Sequence, residues 1–204
     1  KEGVEKIFKF WDDHILDPEM LALLKENGGK NGTSIFEDSI EMSSSGPKWT
    51  YDLLDEIKKL KGYDAGTFAP ILAMGSAGYF DDTAKAQALL QDYNDTLGYL
   101  YEYEHGAKIK EWAARFNYTY RAQAYPVPGK NNDEAALALD VPEGDNGTSG
   151  DGVRRLSAAV NMGGGKLLSM EATTFAANIN SKWGNIMKVL NGDFSDGINR
   201  VILH

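Results

Sequence analysis

Apolar and polar positions along this chain switch repeatedly between a helical period and short apolar runs. Val4, Ile7, Phe8 and Trp11 recur at helical spacing and predict an amphipathic helix over residues 2–13. A short helix follows Asp17-Pro18, with Asp as cap and Pro in the first turn, and ends at Gly28-Gly29. The run Ser34 to Ile40 reads as the first strand. A helix opens at Trp49-Thr50 and runs through Lys61 to a stop at Gly62. Ala84 to Phe116 is helical, with Leu89, Tyr93, Leu97 and Leu100 on one face, and His105-Gly106 is expected to interrupt or kink it. Tyr118 to Tyr125 and Ala136 to Val141 are the next strands, separated by a polar loop, Pro126 to Glu134, too short for a full helix. Asp151 caps a helix to Met162, Gly163-Gly164-Gly165 closes it, and Lys166 to Met170 is the fourth strand. Residues 181–192 form a last helix, and Ile198 to Leu203 the fifth strand.

Five strands joined by helical crossovers imply an α/β fold with a parallel sheet. A closed barrel needs eight strands, and this chain opens with helices and stops on a strand. The expected architecture is therefore a partial (β/α)8 TIM-type barrel. Residues 1–204 would be one part of a catalytic domain from a longer multidomain protein, with about three strands supplied from upstream. The rival is a complete five-stranded doubly wound domain. That fold usually starts with a strand and a glycine-rich first turn, and neither is present.

Composition narrows the partners. Hydrophobic residues make up 42% and charged residues 25%, ordinary for a folded domain. The net charge of −9 argues against nucleic acid or an anionic membrane as partner, and no apolar run approaches a membrane span. With no cysteine, a disulfide framework, a thiol nucleophile and a cysteine metal site are excluded. Four Asn-X-Thr sequons, at Asn31, Asn94, Asn117 and Asn146, exceed what the composition predicts and point to a secreted glycoprotein.

In a barrel, chemistry gathers at the C-terminal ends of the strands. Glu41 follows the first strand and Glu171 the fourth. A carboxyl group at the ends of two different strands is what a glycosidase requires, one as acid and one as base or nucleophile. A strand-end carboxylate also serves as an ordinary helix cap, so the pattern leaves both roles open. Glu143 is a third carboxylate at the same end. Gln123 and Tyr125 close the strand before it, and His204 ends the last strand. Trp49 and Trp183 follow strand ends, where an aromatic face can stack on a sugar ring. Acids, amides and aromatics on one rim suit carbohydrate. Other chemistries fit poorly. Gly163-Gly164-Gly165-Lys166 lacks the P-loop spacing and lies before a strand, the three histidines share no zinc spacing, and no serine sits in a Gly-x-Ser-x-Gly elbow.

An ordered set of segments resembles the α-L-rhamnosidases of glycoside hydrolase family 106. It comprises Asp38-Ser39-Ile40-Glu41 with Trp49-Thr50, Lys61-Gly62-Tyr63-Asp64, Asp92-Tyr93-Asn94-Asp95-Thr96-Leu97, Glu111-Trp112-Ala113, Arg121-Ala122-Gln123-Ala124-Tyr125, Met170-Glu171-Ala172-Thr173-Thr174 and Gly197-Ile198-Asn199-Arg200-Val201-Ile202-Leu203-His204. The resemblance implies a (β/α)8 catalytic domain, of which this chain supplies strands four to eight. It further implies an inverting mechanism, with Glu41 at the family's acid position, Glu171 at its base position and Glu143 at a further acidic position near the sugar. A calcium ion in the site is implied by the resemblance alone. Two departures stand out: Gln123, where an acid is common, and the glycine-rich segment after Glu143. The expected activity is a secreted glycoside hydrolase acting on an α-L-rhamnosyl or similar linkage. Carbohydrate and the other domains of the same polypeptide are its expected partners. A retaining glycosidase with Glu171 as nucleophile, and a carbohydrate-binding pseudoenzyme, are the alternatives.

Overall fold

The computed structural model describes residues 2–30, 33–40, 46–78, 80–124, 132–145, 148, 150–173 and 182–203. Helices α1 (Glu2–His14) and α2 (Pro18–Asn27) lead into strand β1 (Ser34–Glu37). A helical segment of α3 (Leu53–Lys61), α4 (Ala69–Met74), α5 (Thr83–Tyr99) and α6 (Ala107–Ala114) separates β1 from β2 (Thr119–Gln123). Then come α7 (Asn132–Ala136), β3 (Val141–Gly144), α8 (Gly150–Met162), β4 (Ser169–Ala172), α9 (Trp183–Ser195) and β5 (Arg200–Leu203).

The strands form one parallel sheet in the order β1-β2-β3-β4-β5. Sequential order with a crossover between neighbours is the arrangement of a partial barrel. Among the described residues, β1 pairs only with β2 and β5 only with β4, so both edges are open.

Period-two alternation splits each strand between two faces. Tyr120 and Ala122 of β2 and Met170 and Ala172 of β4 face outward. They form the main core with Val153, Leu156 and Val160 of α8, Ile109 of α6 and Ile198. The alanines have little bulk, which lets the helices lie close to the sheet. A second core of Leu53, Ile57, Ala65, Leu72, Tyr93 and Leu97 holds α3, α4 and α5 together away from the sheet.

Local signals place the ends of the first helices as expected, though α3 begins at Leu53 and not at Trp49-Thr50. Asp17 accepts from the Met20 amide at 2.8 Å, and Gly62 ends α3 in the left-handed region at φ 82°. Two strand boundaries are corrected, and one helix interruption takes a specific form. Ala136 to Val141 is not a strand: Ala136 ends α7, and β3 begins only at Val141. The apolar run Ala135-Ala136-Leu137-Ala138-Leu139 is too short for periodicity to decide. Here Ala136 and Leu139 turn into the core beside α8. The ladder starts where Asp140 is tied to Tyr120, its amide donating to the Tyr120 carbonyl at 3.2 Å and its carboxylate accepting from the Tyr120 amide at 3.0 Å. The α-helix before β2 is interrupted at His105-Gly106, as expected, but by a π-helical turn, Leu100–Gly106, through which α5 continues into α6. The fourth strand spans Ser169–Ala172 instead of Lys166 to Met170, so Glu171 lies inside it.

Candidate active site

The second face of the sheet is polar. Register aligns Gln123 of β2 with Glu143 of β3, Glu143 with Ser169 of β4, and Ser169 with Arg200 of β5. Arg121 and Glu171 share this face by alternation. Each reaches it because a core residue occupies the other side: Ala122 between Arg121 and Gln123, Met170 between Ser169 and Glu171.

Glu143 is 1% exposed and its Oε2 takes two donors. One is the Arg121 guanidinium, in an ion pair, and the other is the Ser169 hydroxyl at 2.5 Å. A carboxylate this deep requires a counter-charge. The same guanidinium lies over Phe36, its Cζ 4.0 Å from the ring centroid, which joins β1 to the network.

Gln123, 4% exposed, sits one layer above Arg121, level with Glu143. Its amide Nε2 donates to Glu171 Oε2 at 2.6 Å. This bond passes over β3 from one neighbour to the other. Strands two apart in a flat sheet lie roughly 9–10 Å from each other. A concave face, as in a barrel's interior, brings such side chains toward each other, and the bond between Gln123 and Glu171 is consistent with that shape.

Three of the expected site residues therefore share one concave face: Gln123, Glu143 and Glu171. Glu143 lies within β3 instead of after it and is held by Arg121. Trp49 is 46% exposed, in a segment fixed to α5 by Tyr93. The Tyr93 hydroxyl accepts from the Lys48 amide and donates to the Lys48 carbonyl, both at 2.7 Å. Trp183, at the start of α9, is 71% exposed. Glu41, Tyr125 and His204 lie outside the described residues. Among the described residues, no three His, Asp or Glu side chains come together as a metal site would require.

Sequence reasoning passed over Arg121 and Ser169. The signal was there: Arg121 lies two residues before Gln123 on a strand and so shares its face. It also passed over an outward-facing cluster. Glu37, at the end of β1, accepts from the Tyr120 hydroxyl at 2.5 Å and from His105. Tyr101 stacks on the His105 ring at 5.9 Å. Burial, reinforced by the Glu37 carboxylate, pushes the Tyr101 hydroxyl up to about 12. The same two causes, with the hydrogen bond to Glu37, push Tyr120 far above the ordinary tyrosine range.

A parallel half-barrel with carboxylates on its concave face is an architecture found among carbohydrate-active enzymes. The model of the α-L-rhamnosidase family, glycoside hydrolase 106, matches residues 4–204, and the chain belongs to that family. The fold is similar to that of a solved rhamnosidase from Novosphingobium sp. PP1Y, with a TM-score of 0.65 at 19% identity. The alignment covers 98% of this chain and 19% of that one, so the chain spans about a fifth of its structural relative. A comparison with curated proteins gives no match.

Proposed function

We propose that this chain is the C-terminal part, strands four to eight, of a (β/α)8 TIM-type barrel in a larger secreted enzyme that hydrolyses α-L-rhamnosyl or similar linkages with inversion. The observation that carries the reading is the family match over residues 4–204, taken with Glu171 held on the concave face at the C-terminal end of β4.

On this reading Glu41 donates a proton to the leaving glycosidic oxygen as the C–O bond breaks. Glu171, ionised, takes a proton from a water on the opposite face of the ring, and that water forms the new bond to the anomeric carbon. The Gln123 amide suits this role, because its hydrogen bond holds the Glu171 carboxylate on the concave face. Glu143, committed to Arg121 and Ser169, fits a structural counter-ion under the sugar better than a base. Trp49, Tyr125 and His204 complete the sugar-binding rim. A bound calcium ion is part of the proposal by family alone. The described residues do not assemble a donor set for it, since calcium takes about 6–8 oxygens. No step here runs through it.

Hydrolysis of aryl rhamnosides by the full-length protein tests the reading. Glu41→Gln should slow substrates with poor leaving groups far more than activated ones, and Glu171→Gln should slow both alike, each by about 10²- to 10⁴-fold. Azide added to a Glu171→Ala variant should yield a glycosyl azide of inverted configuration. Wild-type rates in both folded variants would refute the assignment. Secretion is tested by the mass shift of the native protein on glycan removal. Asn117 is the best acceptor on the described surface, since it and Thr119 are exposed whereas Thr96 of the Asn94 sequon is fully buried.

A further inference from the structure

The concave face holds two carboxylates in unlike company. Glu143 sits beside a guanidinium. Glu171 receives, at Oε2, a neutral amide from a strand two places away. Gln123 is itself buried, between the Arg121 layer beneath and Glu143 alongside, so its side chain has little freedom to turn elsewhere. A buried amide that donates to one oxygen of a carboxylate restrains where that oxygen lies.

We propose that Gln123 is the positioning residue for Glu171, orienting the carboxylate through Oε2 while adding no charge beside it. This rests on the reading of Glu171 as the general base. It changes the role expected of Gln123, which becomes a support for the base and not a contact to the sugar.

The absence of charge on Gln123 matters because the face is already crowded with ions. Among the described residues, the charged groups on it beside Glu171 of β4 are Arg121 from β2, Glu143 from β3 with Asp145 just beyond, and Arg200 from β5. A carboxylate in place of Gln123 would stand within hydrogen-bond reach of Glu171. Two carboxyl groups so placed share a proton, and the apparent pKa of the pair rises. A base that must be ionised would then be protonated over more of the acidic range.

The test uses the full-length enzyme and the pH dependence of kcat/KM. Gln123→Glu, which keeps the side-chain shape, should move the acidic limb upward by roughly one pH unit or more. Gln123→Met, which keeps the length without the donor, should lower kcat roughly tenfold or more with KM within about twofold, because a misaligned base costs rate and not binding. A raised KM with unchanged kcat and an unmoved limb would show that Gln123 contacts substrate, and would overturn the proposal. Unchanged kinetics in both variants would overturn it equally. If Gln123→Met fails to fold, the Gln123→Glu limb decides alone. Glu171→Gln separates the two levels. Full activity in that variant sinks the assignment of the base, whereas an inactive Glu171→Gln beside an unmoved Gln123→Glu limb sinks only the role of Gln123.

Discussion

His105 Nε2 lies 2.9 and 3.0 Å from the two carboxylate oxygens of Glu37, a residue 68 positions earlier in the chain. A carboxylate offers only acceptors, so Nε2 carries the proton and donates. The π-helical turn Leu100–Gly106 carries both His105 and Tyr101, and Ile40 packs against Tyr101. The end of β1 and the residues after it are therefore held by one helical turn. Tyr120 supplies the third contact, from the neighbouring strand. π-Helical turns often occur at functional sites, and this one fastens the strand that leads to Glu41.

Tyr120→Phe should expose how much that fastening contributes. It deletes one hydrogen bond to a charged acceptor and leaves the ring packing in place. The expected loss is about 1.5–3 kcal/mol. Hydrogen exchange of the full-length protein should show faster exchange of amides in β1 and β2, with α8 unchanged. Uniform acceleration in all three elements would contradict a local anchor.

Alkaline pH should act on this cluster and on Tyr63, which packs against the α3–α5 core. Tyr101 is pushed up to about 12 by burial and by Glu37. Tyr63 is pushed up to about 12 by burial and its hydrogen bond to Asp92. Unfolded tyrosines release their protons near pH 10. Between about pH 10 and 12 the unfolded chain has lost these protons while the folded chain keeps them. Stability is therefore intact below pH 10 and falls with each unit above it. Absorbance titration of tyrosinate should show a late group that appears together with unfolding. Smooth titration of every tyrosine near pH 10 in the folded protein would refute the burial of these hydroxyls.

Gly28 should tolerate no side chain. A Cβ there would lie 1.9 Å from the Phe116 carbonyl oxygen, a backbone atom with little room to move. The close approach lets Gly29 donate to the Asn117 carbonyl at 2.7 Å and seats α2 against the turn into β2. Gly28→Ala should cost about 1–3 kcal/mol, in the range of overpacked sites. Thermal unfolding measures it, and an unchanged midpoint would mean that α2 and the Phe116 turn are not packed as described.

What the sequence revealed of this fold follows from how local each signal is. Asp17-Pro18 and Gly62 mark helix ends because capping involves only neighbours, and the structure places those ends as read. The parallel sheet was legible because helical runs separate most of the strand runs. The boundaries of β3 were not, since a five-residue apolar run suits either a helix turn or a strand and its contacts with α8 decide. His105-Gly106 marked an interruption of the helix, but not its form: a π-helical turn, with Gly106 buried and His105 paired to a distant carboxylate. In the site, Gln123, Glu143 and Glu171 could be picked out as polar residues near strand ends. That Gln123 would bond Glu171 across β3, and that Arg121 would claim Glu143, depends on register and curvature. Both arise only when strands pair.

Arg121 and Glu143 allow the sharpest separation of structure from catalysis. Glu143 was expected at the rim near the sugar, and it lies instead in a buried ion pair. Removing one member of such a pair leaves the other charged and unpaired, at a cost of about 3–5 kcal/mol. Glu143→Leu and Arg121→Met should each destabilise the full-length protein to that extent. The double variant should recover most of the loss, because two apolar side chains leave no orphaned charge behind. A double-mutant cycle from denaturant unfolding provides the measurement. If Glu143 served only the substrate, Glu143→Leu would spare stability and raise KM, and the losses of the two single variants would simply add. A large coupling energy, together with a kcat per folded molecule near that of the wild type in the double variant, is the outcome expected of a counter-ion beneath the site.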